Sequence, residues 1–138
     1  MPTDTLLIEV NKRGVAMITL NRPGMNNNGE MISGLIEAFG ALAADRQVRL
    51  VLIRGNGKHF QASADLKWIR ETSKLSPAAN LQVSINATNA VRGLNEFPRP
   101  TIALVHGTCF GGGVGLAAAC DVVIASQDAF FAITEAMD

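Results

Sequence analysis

The order of strand-like and helical segments constrains the fold of this chain more than any other sequence feature. Two short apolar runs flank the turn-forming residues 11–14, and this pattern predicts a β-hairpin. Beyond it, apolar residues at helical spacing alternate with short apolar runs typical of buried strands. The predicted strands are Leu6–Val10, Val15–Leu20, Val48–Ile53, Thr101–Val105, Asp121–Ala125 and Ala129–Ile133, and the predicted helices are Met31–Leu42, a short one after Asp65, Pro77–Glu96 and Val114–Cys120. Strands joined by helices predict an α/β fold with largely buried strands.

The composition is that of one folded domain. The chain has 138 residues, of which 48% are apolar and 17% charged. A chain of this size buries enough surface to form a core without disulfides or a structural metal. No low-complexity stretch, linker or repeat marks a boundary, so residues 1–138 are predicted to form a single domain.

Positive and negative charges balance overall but not along the chain. Twelve Lys and Arg residues oppose twelve Asp and Glu residues. The balance argues against binding to nucleic acid or to an anionic membrane, because both need clustered positive charge. Through Lys74 the net charge is +3, and the remaining residues carry −3. The basic bias of the first part suits a small phosphorylated ligand.

The cysteines and histidines do not predict a metal site. Cys109, Cys120, His59 and His106 lack the spacing of metal ligands. The N-terminal residues do not form the apolar core of a signal peptide, and no run reaches the roughly 18 apolar residues of a membrane span. We therefore predict a cytoplasmic protein with reduced thiols.

Two segments offer backbone amides to a ligand. Gly111–Gly113 lies where a strand gives way to a helix, so its amides and the helix dipole suit an anion or a developing oxyanion. The loop at Phe60–Leu66 could supply a second amide, and two convergent amides are what an oxyanion hole requires. A tight packing turn is the alternative for the glycines. A helix start capped by Asp65 is the alternative for the loop.

Glu135 is the best placed carboxylate for proton transfer. It follows an apolar run, and apolar surroundings would raise its pKa into the range that suits proton transfer. A solvated residue at a strand end is the alternative. His59, His106 and Cys109 are interpreted as loop or packing residues, because none has a nucleophile or a base beside it in the sequence.

Six segments, taken in order and spacing, resemble the signatures of a known family. They are ITLNRPGMNNN at 18–28, His59–Leu66, Arg99–Ala103, Phe110–Gly113, Cys120–Ala125 and Phe131–Glu135. Together they resemble the enoyl-CoA hydratase/isomerase family, also called the crotonase family. The resemblance implies a crotonase-like ββα spiral core, of which this chain is the N-terminal half without the C-terminal helical part. It also implies a homotrimer or hexamer for the full-length form.

The resemblance implies roles for individual residues. The backbone amides of Ala64 and Gly112 would hold the oxygen of a thioester, and Glu135 would transfer a proton at the acyl chain. Coenzyme A enters as part of the acyl-CoA substrate, and no separate cofactor is implied. The residues implied to bind it are Met25, near the adenine end, and Ala62, Ser63, Ala64, Asp65, Leu66, Lys67 and Gly112, with Lys67 near the phosphates.

Two positions depart from the family pattern and leave the reaction open. Gly115 stands where the best-known hydratases carry a second glutamate, and Ser63 replaces a glycine of the oxyanion loop, where its β-carbon limits positive φ. Similarity of residues 110–116 and 64–69 to methylglutaconyl and isohexenylglutaconyl hydratases favours hydration of a branched or carboxylated 2-enoyl-CoA. A Δ3,Δ2-enoyl-CoA isomerase is one alternative. A fragment that binds acyl-CoA without catalysis, or an assembly subunit, is the other.

Overall fold

The structure is a computed structural model and describes residues 5–21, 29–61 and 66–133. The strands are β1 (Leu6–Val10), β2 (Val15–Leu20), β3 (Leu50–Gly55), β4 (Thr101–Val105), β5 (Thr108–Phe110), β6 (Val122–Ala125) and β7 (Phe130–Ala132). The helices are α1 (Gly29–Ala44), α2 (Leu66–Ser73), α3 (Pro77–Asn95) and α4 (Gly112–Ala119). Strands alternate with helices along the chain, which confirms the predicted α/β class.

The main sheet contains five strands in the order β1-β2-β3-β4-β6. β1 and β2 form the antiparallel hairpin, whereas β2, β3, β4 and β6 run parallel to their neighbours. A helical crossover lies between each successive parallel pair, as parallel strands require. β5 and β7 form a separate, short parallel pair. The carboxyl ends of β2, β3, β4 and β6 therefore lie at one edge of the sheet.

The first hairpin turn is fixed by one side chain and one glycine. The side-chain oxygen of Asn11 accepts hydrogen bonds from the backbone amides of Arg13 at 2.9 Å and Val15 at 3.0 Å. Gly14 has φ +85°, a conformation that favours glycine. Its carbonyl accepts a bond from the Arg49 amide at 2.7 Å, so the turn also anchors the start of the next strand.

The core lies between the sheet and α1 and α3. Apolar residues of α1 recur at intervals of three and four and form one buried stripe, as the sequence predicts. Val51 and Ile53 of β3 are fully buried beneath these helices, as is Ile18 of β2. Burying each such side chain stabilises the fold by about 1.5–3 kcal/mol.

Arg99 joins the end of α1 to the sheet. Its two terminal nitrogens donate hydrogen bonds of 2.6–2.8 Å to four carbonyls, those of Leu42, Ala43, Asp45 and Val48. The last carbonyls of a helix lack partners within the helix, so the guanidinium satisfies them. The same guanidinium lies 5.4 Å from the centre of the Phe97 ring.

Some predicted boundaries differ from the structure. β3 begins at Leu50 rather than Val48, because Val48 still belongs to the turn, where its amide bonds the carbonyl of Asp45. α4 begins at Gly112 rather than Val114, because two of the three glycines are already helical. The three-residue strand β5 was not predicted. α3 begins where Ser76 caps it, with the Ser76 hydroxyl accepting from the Ala79 amide at 3.2 Å and Pro77 in the first turn.

The prediction that the strands are largely buried is wrong for β6 and β7. Val122 and Ile124 of β6 are 49% and 56% exposed, and Phe130 of β7 is 64% exposed. β6 is an edge strand, and its four residues are all exposed because no described element packs against it on the side away from β4. In the described part of the chain, no helix is both long and apolar enough to span a membrane.

Candidate functional site

The glycine turn lies between β5 and α4. Gly111 has φ +54° and ψ −120°, a backbone conformation that L side chains rarely adopt. Gly112 is the first residue of α4 and is exposed. The first amides of a helix have no carbonyl partner within it and point out of its positive end. The amide of this exposed first residue of α4 is therefore suited to bind an oxyanion.

Gln61 fixes one side of this turn. Its amide donates to the Thr108 carbonyl at 3.1 Å, and its carbonyl accepts from the Phe110 amide at 2.9 Å. A β-carbon on Gly113 would lie only 2.6 Å from the β-carbon of Gln61, so this close approach requires a glycine. Gln61 is buried. Gln61 directly precedes the segment that contains Ala64, and these contacts hold Gln61 beside the start of α4.

Strand β7 fixes another side of the turn. The Gly111 amide donates to the Ala132 carbonyl at 3.0 Å, and the Phe130 amide donates to the Gly107 carbonyl at 2.8 Å. β7 pairs in parallel with β5, with Ala132 opposite Phe110. The segment that leads to Glu135 is thus hydrogen-bonded to the same turn.

The predicted site residues divide into two groups. Gly112 opens α4, and Leu66 and Lys67 open α2. The others lie outside the described residues: Met25, Ala62, Ser63, Ala64, Asp65 and Glu135. The proposed cap by Asp65 stays a prediction for the same reason. Within the described ranges, no group of three or more His, Cys, Asp or Glu side chains could hold a metal ion.

The histidines and Cys109 make structural contacts, as predicted. Nδ1 of His59 accepts from the Thr108 amide at 3.0 Å, and Nε2 of His106 donates to the Gly57 carbonyl at 2.7 Å. Cys109 is fully buried, and burial raises the pKa of its thiol to about 11. A protonated, buried thiol is a poor nucleophile.

Two openings were not predicted from the sequence. A groove of about 740 Å³ runs between α3 and α4. It is lined by the small or apolar residues Ala87, Val91, Gly115, Ala118 and Ala119 and by the polar or charged residues Thr88, Arg92, Asn95 and Glu96. A second cleft of about 630 Å³ lies at the carboxyl ends of the parallel strands, beside Arg54 and His106. Spacing along the sequence gives no signal for either, because each depends on how separate elements pack.

Fold and site together define the class of this protein. It is an α/β protein with a mostly parallel sheet. A glycine turn leads from a strand to a helix whose first residue, Gly112, is exposed, and two further chain segments are hydrogen-bonded to that turn. The family model described as enoyl-CoA hydratase/isomerase matches residues 10–137. The chain therefore belongs to the enoyl-CoA hydratase/isomerase family.

Individual relatives and a solved structure agree with this assignment. The 2,3-dehydroadipyl-CoA hydratase of Escherichia coli is 34% identical over 133 residues, which cover 94% of this chain and 49% of the relative. The human mitochondrial Δ(3,5)-Δ(2,4)-dienoyl-CoA isomerase is 33% identical over 143 residues, which cover 96% of this chain and 43% of the relative. The crystal structure of an enoyl-CoA hydratase from Shewanella pealeana superposes with a TM-score of 0.92 at 34% identity. The superposition covers 96% of this chain and 51% of that one.

These matches confirm the crotonase-like fold. The chain spans about half the length of the curated relatives it matches. Hydratases and isomerases are both found among those relatives, so the family alone does not select one reaction.

Proposed function

We propose that this chain takes part in hydrating a 2-enoyl-CoA thioester. The amides of Ala64 and Gly112 hold the thioester oxygen, and Glu135 transfers the proton. Residues Ala62–Lys67 and Met25 lie along coenzyme A, with Lys67 near its phosphates.

The observation that carries this proposal is the convergence of three chain segments at the glycine turn. The carbonyl of Gln61 accepts a hydrogen bond from the Phe110 amide. The carbonyl of Ala132 accepts one from the amide of Gly111, the residue before Gly112. Ala64 and Glu135 each follow one of these anchored residues by three positions. Three residues span at most about 10 Å, and this short spacing supports the proposal that both groups act beside the glycine turn.

The chemistry follows from where charge develops. Glu135 takes a proton from water as the water oxygen forms a bond to C3, and the electron pair of the double bond moves onto the thioester oxygen. Two fixed amides stabilise that oxyanion without an ionised side chain. The enolate then re-forms the carbonyl, and C2 takes the proton from Glu135. Removing one oxyanion donor raises the barrier by about 2.7–4 kcal/mol in comparable sites.

Gly115 supports a second candidate reaction. It lies on α4 one turn beyond Gly112 and leaves no carboxylate at the position where the best-known hydratases carry one. A single carboxylate can move a proton between C4 and C2 of a 3-enoyl-CoA. A Δ3,Δ2-enoyl-CoA isomerase is therefore the alternative, and the dienoyl-CoA isomerase among the relatives is compatible with it.

Replacement of Glu135 tests the proposal. The rate of hydration of a 2-enoyl-CoA is measured as the rate at which the absorbance of the conjugated thioester decreases. We expect Glu135→Gln to lower this rate by at least about 100-fold, the usual contribution of a general acid–base. Glu9→Gln, which changes an exposed carboxylate on β1, is the matched control and should turn over normally. Undiminished turnover by Glu135→Gln would remove this residue from the mechanism.

Substrate choice separates the alternatives. A hydratase converts the 2-enoyl-CoA to a 3-hydroxyacyl product, whereas an isomerase converts a 3-enoyl-CoA and gives no hydroxyacyl product. Binding of acyl-CoA without turnover of either substrate by the 138-residue chain would favour the non-catalytic alternative. The branched or carboxylated acyl chain, the trimer or hexamer of the full-length form and the cytoplasmic location stay predictions.

A further inference from the structure

We propose that His59 and His106 form a clasp that positions the two candidate oxyanion donors relative to each other. The clasp joins segments 57–61 and 106–110 through one hydrogen bond between each imidazole ring and the backbone of the opposite segment. The inference rests on the proposed function, because it concerns the geometry of the same oxyanion site. Neither ring needs to touch the substrate, so both are positioning residues.

The two rings bond in opposite directions. Nδ1 of His59 accepts a hydrogen bond from the Thr108 amide at 3.0 Å, and Nε2 of His106 donates one to the Gly57 carbonyl at 2.7 Å. Thr108 is the first residue of β5. In a regular parallel ladder an amide donates to a backbone carbonyl of the neighbouring strand, and here a ring nitrogen accepts instead. The side chain of His59 therefore completes the pairing at the start of β5.

The backbones of the two segments lie in direct contact. The Phe60 amide donates to the His106 carbonyl at 2.9 Å. Gly107 has φ +61°, and a β-carbon on it would collide with the carbonyl oxygen of Lys58, so this approach requires a glycine. Because the segments are packed this closely, a ring that shifts on one of them displaces the backbone of the other.

Each clasped segment leads into a proposed donor. Segment 57–61 ends three residues before Ala64, and segment 106–110 ends two residues before Gly112. An oxyanion hole requires both amides to lie about 2.7–3.1 Å from one oxygen. A misplacement of about 1 Å in such a site lowers the rate by up to about 100-fold. Holding the two segments together ahead of both donors therefore affects the rate of the reaction.

Paired substitutions separate the two hydrogen bonds from other effects of the rings. In His59→Asn, the side-chain oxygen stands where Nδ1 stands and still accepts a bond, whereas His59→Leu has no acceptor. In His106→Gln, the side-chain amide nitrogen stands where Nε2 stands and still donates, whereas His106→Leu has no donor. Each variant that keeps the bond is the control for the leucine variant at the same position.

Turnover of a 2-enoyl-CoA by the 138-residue chain measures the effect. We expect His59→Leu to lower kcat by about tenfold, less than the loss of a whole donor, because the donors are displaced rather than removed. His59→Asn should retain most of the activity. His106→Leu and His106→Gln should differ in the same way. Lys58→Leu changes an exposed neighbour in the same loop and should turn over normally.

A spectroscopic measurement shows whether the donors themselves have moved. Hydrogen bonds to the carbonyl oxygen stabilise the charge-separated form of a conjugated thioester, so they shift its absorbance to longer wavelength. Glu135→Gln is expected to turn over slowly and allows the bound 2-enoyl-CoA to be observed before it reacts. Adding His59→Leu to this variant should reduce the shift, and adding His59→Asn should not. A purely structural role of the ring would lower the thermal midpoint without changing the shift.

The outcomes distinguish the clasp from the reaction. If His59→Leu is folded by circular dichroism and keeps both kcat and the absorbance shift, the clasp is wrong and the proposed function stands. Equal losses in His59→Asn and His59→Leu would also overturn it, because the acceptor would then not matter. If both leucine variants unfold, the rings hold the fold as a whole, and the clasp assignment is wrong.

The unchanged chain tests the proposed function separately. If it neither turns over a 2-enoyl-CoA nor shifts the absorbance of the bound thioester, the proposed function fails and the clasp fails with it.

Discussion

The two faces of the five-stranded sheet differ in burial although both are apolar. On one face, Val51 and Ile53 of β3 are fully buried beneath the helices. On the other, Leu52, Ile102 and Val122 lie opposite one another across β3, β4 and β6, and exposure increases toward the edge strand. The difference shows that an apolar run predicts a strand, whereas burial also requires an element to cover each face.

The largest expected effect comes from removing equal volumes on the two faces. Ile53→Ala should lower the free energy of unfolding by about 2–5 kcal/mol, because it leaves a cavity in the covered core. Ile124→Ala should change it by about 0.5 kcal/mol or less, since Ile124 is 56% exposed. Urea unfolding of both variants measures the contrast. Equal losses would show that the outer face is packed in solution.

A smaller loss is expected where the covered side is held by hydrogen bonds. Arg99→Met removes the four bonds from the guanidinium to carbonyls at the end of α1 and the start of the sheet. We expect a loss of about 2–3 kcal/mol, because bonds to a charged group are among the stronger ones. Arg46→Met changes an exposed arginine in the same turn and is the control. Equal stability of the two variants in urea would contradict the role of Arg99.

The smallest expected effect is a dependence of stability on pH. Burial raises the pKa of Cys109 and of Cys120 from 9.0 to about 11. Above pH 9 the unfolded thiols lose protons that the folded thiols retain, so stability is complete below pH 9 and decreases toward pH 11. The chain contains no tyrosine to titrate in this range.

Thermal midpoints at pH 8, 9 and 10 measure this dependence. The double variant Cys109→Ala with Cys120→Ala should show a shallower decrease than the unchanged chain. An identical decrease in both would show that the two thiols do not cause the effect.

Sequence patterns were sufficient where local interactions decide the structure. β1, β2 and β4 match their predicted bounds to the residue, because each is an apolar run bounded by turn residues. β5 has three residues, too few to show a period, and forms only because β7 and Gln61 pair with it. β6 is exposed because no element among the described residues covers it, and the sequence of β6 itself carries no signal for this.

The same limit applies to the candidate site. Three consecutive glycines predicted a turn just before a helix, and the structure begins that helix at Gly112, two residues earlier than predicted. The bonds from Gln61 and Ala132 to the turn join residues that are far apart in sequence, and no spacing pattern predicts them. The groove depends on the packing of α3 against α4, where Gly115 meets Val91.

The pairing of β5 with β7 makes the length of the preceding loop critical. Each strand has only three residues, and their register is held by few backbone bonds. One residue inserted between Ala125 and Phe130 that shifted this register would move the following chain by about 3.3 Å and turn every side chain of β7 to the opposite face. Insertions in this loop should therefore abolish the proposed activity even when none of the proposed site residues has changed.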